Sequence, residues 1–174
     1  MAGIWSTRPY YRSMYVFVAK APLAEISSLD DPRLKHLKVG VQLVGDGGFN
    51  TPPAQALAKR GLSDSVRGYP LYGDYSQPNP PAAIIEAVER GDIDLAIAWG
   101  PMAGYFAARE PAPLLVKPVS PLIDGPLNPM VFDVVMGVGM GDEALHEQVD
   151  GALVRHAAEI ESILDSYHVP RSAE

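Results

Sequence analysis

Residues 82–99 read AAIIEAVERG followed directly by DIDLAIAW, and this stretch decides the fold. The first ten residues form a helical stretch closed by Gly91, a residue that ends helices easily. Asp92 to Trp99 then gives a short, nearly continuous apolar run. That pattern predicts a strand buried on both faces, as in a parallel sheet covered by helices. Working outward, Lys38 to Val44 (KVGVQLV) is a second run of the same kind. A turn, Gly45-Asp46-Gly47-Gly48-Phe49-Asn50-Thr51, leads to Pro52-Pro53 and the helical stretch AQALAKRG. Thr51 or Asn50 suits the cap of this helix, proline its first turn and Gly61 its end. Tyr69 to Tyr72 (YPLY) predicts a short strand, and Ala103 to Arg109 a third helical segment. Strands and helices thus alternate between residues 38 and 110, which implies an α/β fold with a parallel sheet and right-handed crossovers.

The flanks add strands at Tyr10 to Ala19, Leu114 to Val119 and Pro129 to Val138, with a turn-rich connection over Pro22 to Pro32. From Asp142 to Tyr167, the residues Leu145, Val149, Leu153, His156, Ile160, Ile163 and Leu164 recur mostly at three- and four-residue spacing. That predicts one amphipathic helix of several turns.

The 174 residues fit one domain or two small lobes. With 47% hydrophobic and 20% charged residues, the chain is globular rather than disordered. Its net charge of −7 argues against sequence-independent nucleic-acid binding, which needs a basic surface, and gives no support for docking on anionic lipid. No apolar run approaches the ~20 residues that span a bilayer. The absence of cysteine excludes disulfides, thiolate nucleophiles and cysteine-ligated metal sites. Met1-Ala2-Gly3-Ile4-Trp5 lacks the charged start and apolar stretch of a signal peptide.

In an open α/β sheet, ligands collect at the carboxyl ends of the strands. The loops after Val44, Tyr72 and Trp99 are therefore the candidate site. Gly45-x-Gly47-Gly48 could cradle an anion at the helix start. The third glycine of a dinucleotide fingerprint is replaced by Asn50, however, and no Gly-Lys-Ser/Thr follows, so a tight turn is the simpler reading. A small dinucleotide-dependent enzyme on this turn ranks well below the other readings. Asp74, Tyr75, Trp99 and Gly100 either line a pocket for a small polar ligand or pack loops together. Tyr11 and Arg12, at the start of a strand, either hold a carboxylate or form a solvated strand start. The four histidines, His36, His146, His156 and His168, show no ligand spacing, so no metal or other cofactor is expected. No serine has a triad-like setting, and no residue stands out as catalytic.

Several runs together resemble one family. They are Arg8-Pro-Tyr-Tyr-Arg-Ser-Met-Tyr-Val-Phe-Val18, Asp31-Pro-Arg-Leu34 with Val39-Gly-Val-Gln42, and Asn50-Thr-Pro-Pro-Ala54 with Leu57-Ala-Lys-Arg-Gly61. Gly68-Tyr-Pro-Leu-Tyr-Gly-Asp-Tyr75, Ile85-Glu-Ala-Val88 and Ile93-Asp-Leu-Ala-Ile-Ala-Trp-Gly-Pro-Met-Ala-Gly-Tyr-Phe-Ala107 complete the set. They resemble the periplasmic substrate-binding proteins associated with quinoprotein dehydrogenases, the MxaJ/XoxJ type encoded beside methanol dehydrogenases. The resemblance implies a type II periplasmic-binding-protein fold, two α/β lobes joined by crossing strands around a cleft. Residues 21–128 would be a complete second lobe. Residues 1–20 and 129–174 would supply the crossing strands, a remnant of the first lobe and the C-terminal helix. Only nine residues precede Tyr10, where the family has a long stretch, so much of the first lobe is expected to be missing. Val131 to Val138 and the apolar face of the tail helix would then be uncovered, and a second copy or another chain is the expected partner.

The function this resemblance implies is non-enzymatic: a periplasmic accessory protein that binds and helps activate or mature a pyrroloquinoline-quinone (PQQ)-dependent methanol dehydrogenase of the calcium or lanthanide type. Tyr11, Arg12, Asn50, Thr51, Asp74, Tyr75, Trp99, Gly100 and Tyr105 are the candidate contact residues. The alternative is a solute-binding subunit of an ABC-type transporter, holding a small organic ligand near Arg12, Asp74 and Trp99. Strand-end loops rich in Gly, Pro and aromatics favour a protein surface or an apolar ligand over an amino acid.

Overall fold

The structure is a computed structural model that describes residues 3–45, 50–72, 76 and 78–172. Its main sheet has the order β4-β3-β5-β2-β6, with β7 also paired to β2. The strands are β2 (Tyr11–Ala19), β3 (Val39–Leu43), β4 (Val66–Pro70), β5 (Leu95–Trp99), β6 (Leu115–Pro118) and β7 (Val131–Val134). As the alternation predicts, β3 runs parallel to both β4 and β5, with Val39 opposite Val66 and Leu95. The sheet as a whole is mixed, because β2 lies antiparallel to β5, β6 and β7.

Strand β2 joins the two halves of the molecule. Its first half, Tyr11 to Met14, pairs with β7, and its second half pairs with β5 and β6. Successive side chains go to opposite faces. Val16 and Val18 join a core with Ile84, Ile85 and Val88 of α2 (Ala83–Arg90) and Ala103 of α3 (Gly100–Ala107). Phe17 and Ala19 join a second core with Leu57 of α1 (Pro52–Lys59), Val41, Ile97 and Met130. Strand β5 serves both cores, Ala96 and Ala98 on one side and Leu95 and Ile97 on the other. This two-sided burial is why its sequence shows no polar alternation.

Two expectations are corrected. Pro129 to Val138 is not one strand. After β7 the chain leaves β2, and β8 (Gly137–Gly139) pairs instead with β1 (Ile4–Ser6), a strand the sequence reading missed. Gly137 allows this pairing, since a Cβ there would sit 2.8 Å from Ile4 Cγ2. Buried Thr7 closes the junction: its amide donates to the Met136 carbonyl at 2.9 Å, and its Oγ1 accepts from the Met136 amide at 3.0 Å. The tail is likewise two helices, α4 (Glu143–Arg155) and α5 (Ala157–Ser166). The backbone leaves helical values at His156, with φ −102° and ψ 15°. Within these helices Leu153 is buried, while Leu145, Val154 and Ile163 are exposed. Phe132, Val135, Met136 and Met140 around β7 and β8 are exposed as well.

The α1 cap also differs from expectation. Thr51 occupies the N-cap position but makes no capping bond. Its Oγ1 donates instead to the carbonyl of Gln42 at 2.6 Å, tying the helix start to the end of β3.

Candidate functional site

Gln42, at the end of β3, organises the strand ends. Its carbonyl accepts from Thr51, and its side-chain Oε1 accepts from the Trp99 amide at 3.4 Å. The loops after β3 and β5 are thus held by one buried residue. Asn50 ties the start of α1 to the end of β3: its Oδ1 accepts from the amides of Val44 (3.1 Å) and Thr51 (3.0 Å).

Trp99 projects from β5 into an aromatic triangle. It meets Tyr15 edge-to-face at 5.5 Å and Phe132 at 5.8 Å, and Tyr15 meets Phe132 at 6.3 Å. Cross-strand register explains the first contact, because Tyr15 of β2 lies opposite Trp99 of β5. Phe132 enters from β7, so the triangle draws on strands from both halves of the chain. Edge-to-face geometry satisfies the ring quadrupoles, and Phe132 remains exposed. Burial pushes the Tyr15 phenol above its ordinary pKa.

Tyr11 stacks edge-to-face on Tyr10 at 5.0 Å. Its phenol is also pushed up, by burial first and then by Tyr10. Arg12 lies opposite Asp133 of β7, with its Nε 3.7 Å from a carboxylate oxygen. That nitrogen is buried and has no hydrogen-bond partner among the described residues.

Gly100 fits chiefly against β2, and Gly104 against the chain's own C-terminal segment. A Cβ on Gly100 would strike the Met14 carbonyl, and one on Gly104 the carbonyl of His168. Ser13 Oγ donates to the Pro170 carbonyl at 2.6 Å, and the Ser172 amide donates to that of Arg12 at 3.1 Å. Residues 168–172 therefore lie as a strap over α3 and β2. Tyr105 is occupied on this side of α3: it stacks on Tyr167 at 5.4 Å, and the Arg109 guanidinium sits 3.5 Å from its ring centroid. Asp74 and Tyr75, like Gly47 and Gly48, lie outside the described residues.

The structure thus brings Asn50, Thr51 and Trp99 together, joined by Gln42. It places Arg12 with Asp133, Gly100 against Met14 of β2, and Tyr105 with the tail. Sequence reasoning missed Gln42, Tyr15 and Phe132. Gln42 carried a signal, as the one polar side chain in an otherwise apolar strand. Phe132 carried none, because its role depends on which strand pairs with β2. Among the described residues no three acidic or histidine side chains converge as a metal cage, and no helix is long and apolar enough to cross a membrane.

No family model matches the chain. The protein MoxJ of Methylorubrum extorquens is 32% identical over 180 residues, which cover 96% of this chain and 58% of MoxJ. The chain thus spans a little over half the length of that relative. The crystal structure of MxaJ from Methlophaga aminisulfidivorans superposes with a TM-score of 0.78 at 21% identity, covering 97% of this chain and 71% of MxaJ. That of the periplasmic binding protein XoxJ from Methylobacterium extorquens AM1 gives a TM-score of 0.80 at 32% identity, covering 98% of this chain and 74% of XoxJ. With that identity over about three quarters of XoxJ, and with the periplasmic-binding-protein fold throughout, the chain belongs to the MxaJ/XoxJ family of periplasmic binding proteins.

Proposed function

We propose that this protein is a non-enzymatic accessory protein of the periplasm that binds a PQQ-dependent methanol dehydrogenase and helps to activate or mature it. The relatives MoxJ, XoxJ and MxaJ support the link to methanol oxidation. In this reading residues 21–128 form one lobe, and the flanking segments carry the crossing strands and the remnant of the other.

The observation that carries the proposal is the Tyr15–Trp99–Phe132 triangle at the strand ends. Partly exposed aromatic groups on rigid strands are characteristic anchors of protein interfaces. Arg12, the cation an amino-acid receptor would need for a carboxylate, faces Asp133 instead. Docking would act by selecting one conformation of the enzyme, as differential binding requires. Asn50 and Thr51, beside Trp99, are proposed as polar contacts at the edge of the same face.

Replacing Trp99 and Phe132 together by alanine is expected to weaken the complex by about 30-fold or more, the loss typical of central aromatic anchors. Titration of the dehydrogenase against wild type and variant by interferometry measures this, with circular dichroism confirming that the variant is folded. Unchanged affinity in a folded variant removes the triangle from the interface.

A further inference from the structure

A recess of about 370 Å³ opens beside Gln42, bounded by Tyr69, Pro70, Pro80 and Ile84, with Glu86 also lining it. Gln42 is only 4% exposed. Its carbonyl and Oε1 are engaged by Thr51 and Trp99. Its Nε2 has no hydrogen-bond partner among the described residues, and the side chain lines the recess. Nε2 is not sealed off from the recess, so this open donor can take an acceptor supplied from outside. Much of the rest of the wall is stiff or apolar, from the Tyr69 and proline rings and Ile84, with Asn79 and Glu86 as the polar exceptions. The volume falls in the range of small-molecule sites. No arginine, lysine or histidine lines the recess, and Glu86 gives it an acidic border. An anion is therefore disfavoured, whereas a neutral ring with one strong acceptor suits the ring-lined walls and the Gln42 donor.

We propose that this recess is a binding subsite for a small, uncharged ring compound bearing a carbonyl group, whose oxygen accepts from Gln42 Nε2. The subsite is separate from the aromatic triangle and does not depend on dehydrogenase binding. Gln42 links the two, since the same side chain holds the Trp99 amide.

Benzamide serves as the probe, with benzoate as its anionic counterpart of the same shape. The readout is the pair of Gln42 side-chain NH2 resonances in ¹H–¹⁵N spectra of the full chain. Benzamide is expected to shift this pair saturably, and benzoate to bind about tenfold or more weakly. Ala83→Phe, at an exposed position lining the recess, is expected to fill it and reduce benzamide affinity by about tenfold or more. Gln42→Glu keeps an acceptor for the Trp99 amide and removes the donor, with a similar expected loss. Should that variant not fold, Ala83→Phe and the wild-type titration decide. The proposal is overturned if benzamide leaves the Gln42 resonances unmoved, if benzoate binds equally well, or if folded Ala83→Phe binds as wild type does.

Discussion

Asp124→Ala is expected to lower the unfolding free energy by about 3–5 kcal/mol at neutral pH. Arg60, just past α1, grips Asp124 with both terminal nitrogens, at 2.9 and 2.8 Å. Its Nε holds Asp30 at 2.7 Å, and it also donates to the Ala56 carbonyl at 3.2 Å. Asp124 is 7% exposed and Arg60 18%, whereas Asp30 is 68% exposed. Removing Asp124 would leave a mostly buried guanidinium with one solvated partner, so the desolvation of the cation is no longer offset. The double change Arg60→Leu with Asp124→Leu is expected to cost less than Asp124→Ala, because no orphan charge remains. The hydrogen bonds from Arg60 hold the Asp124 carboxyl below its ordinary pKa. A depressed folded pKa contributes stability that is present above the unfolded value of ~3.9 and lost as pH falls through the folded value. The gap between wild type and Asp124→Ala should therefore be full at pH 7 and narrow below about pH 4. Urea denaturation at the two pH values measures it. A gap that is small at pH 7, or equal at both, contradicts this account.

Gly100→Val is expected to cost about 2–4 kcal/mol, and Gly104→Ala much less. Both glycines face backbone carbonyls, but the two carbonyls differ in freedom. That of Met14 belongs to β2, where Met14 is buried and pairs with Val131 of β7, and cannot retreat. That of His168 belongs to the C-terminal strap, which lies outside the sheet, with His168 itself exposed. Gly104→Ala should thus release the strap locally. Faster amide hydrogen exchange at Ser172 is expected, with little change in global stability. Global destabilisation by Gly104→Ala equal to that by Gly100→Val would show that the strap is integral to the core.

The parallel part of the sheet was legible because β3 and β5 are buried on both faces, and that burial writes itself as continuous apolar sequence. The family was legible from the Asn50–Ala54 and Trp99–Ala107 runs. Two of their residues do structural work in this chain: Asn50 ties the start of α1 to Val44, and Gly100 admits a carbonyl. The β1–β8 pair was not legible. Three-residue strands carry too few residues for a period, and Gly137 and Gly139 read as breaks rather than as room for a neighbour. The split of the tail helix was hidden as well, since the apolar spacing runs on through His156 while the backbone does not. At the site, Trp99 was legible from its place at a strand end, but its partners were not. Tyr15 and Phe132 reach it only through antiparallel register, which no local pattern encodes.

The central claim is that this chain recognises one state of a methanol dehydrogenase through its strand-end aromatic face. Native mass spectrometry of the protein mixed with the apo and holo forms of the cognate enzyme tests it most directly. The account predicts a complex that prefers one form and is lost when Trp99 and Phe132 are both replaced by alanine. No complex with either form, together with a co-purified small molecule on this chain, would contradict it and favour solute binding.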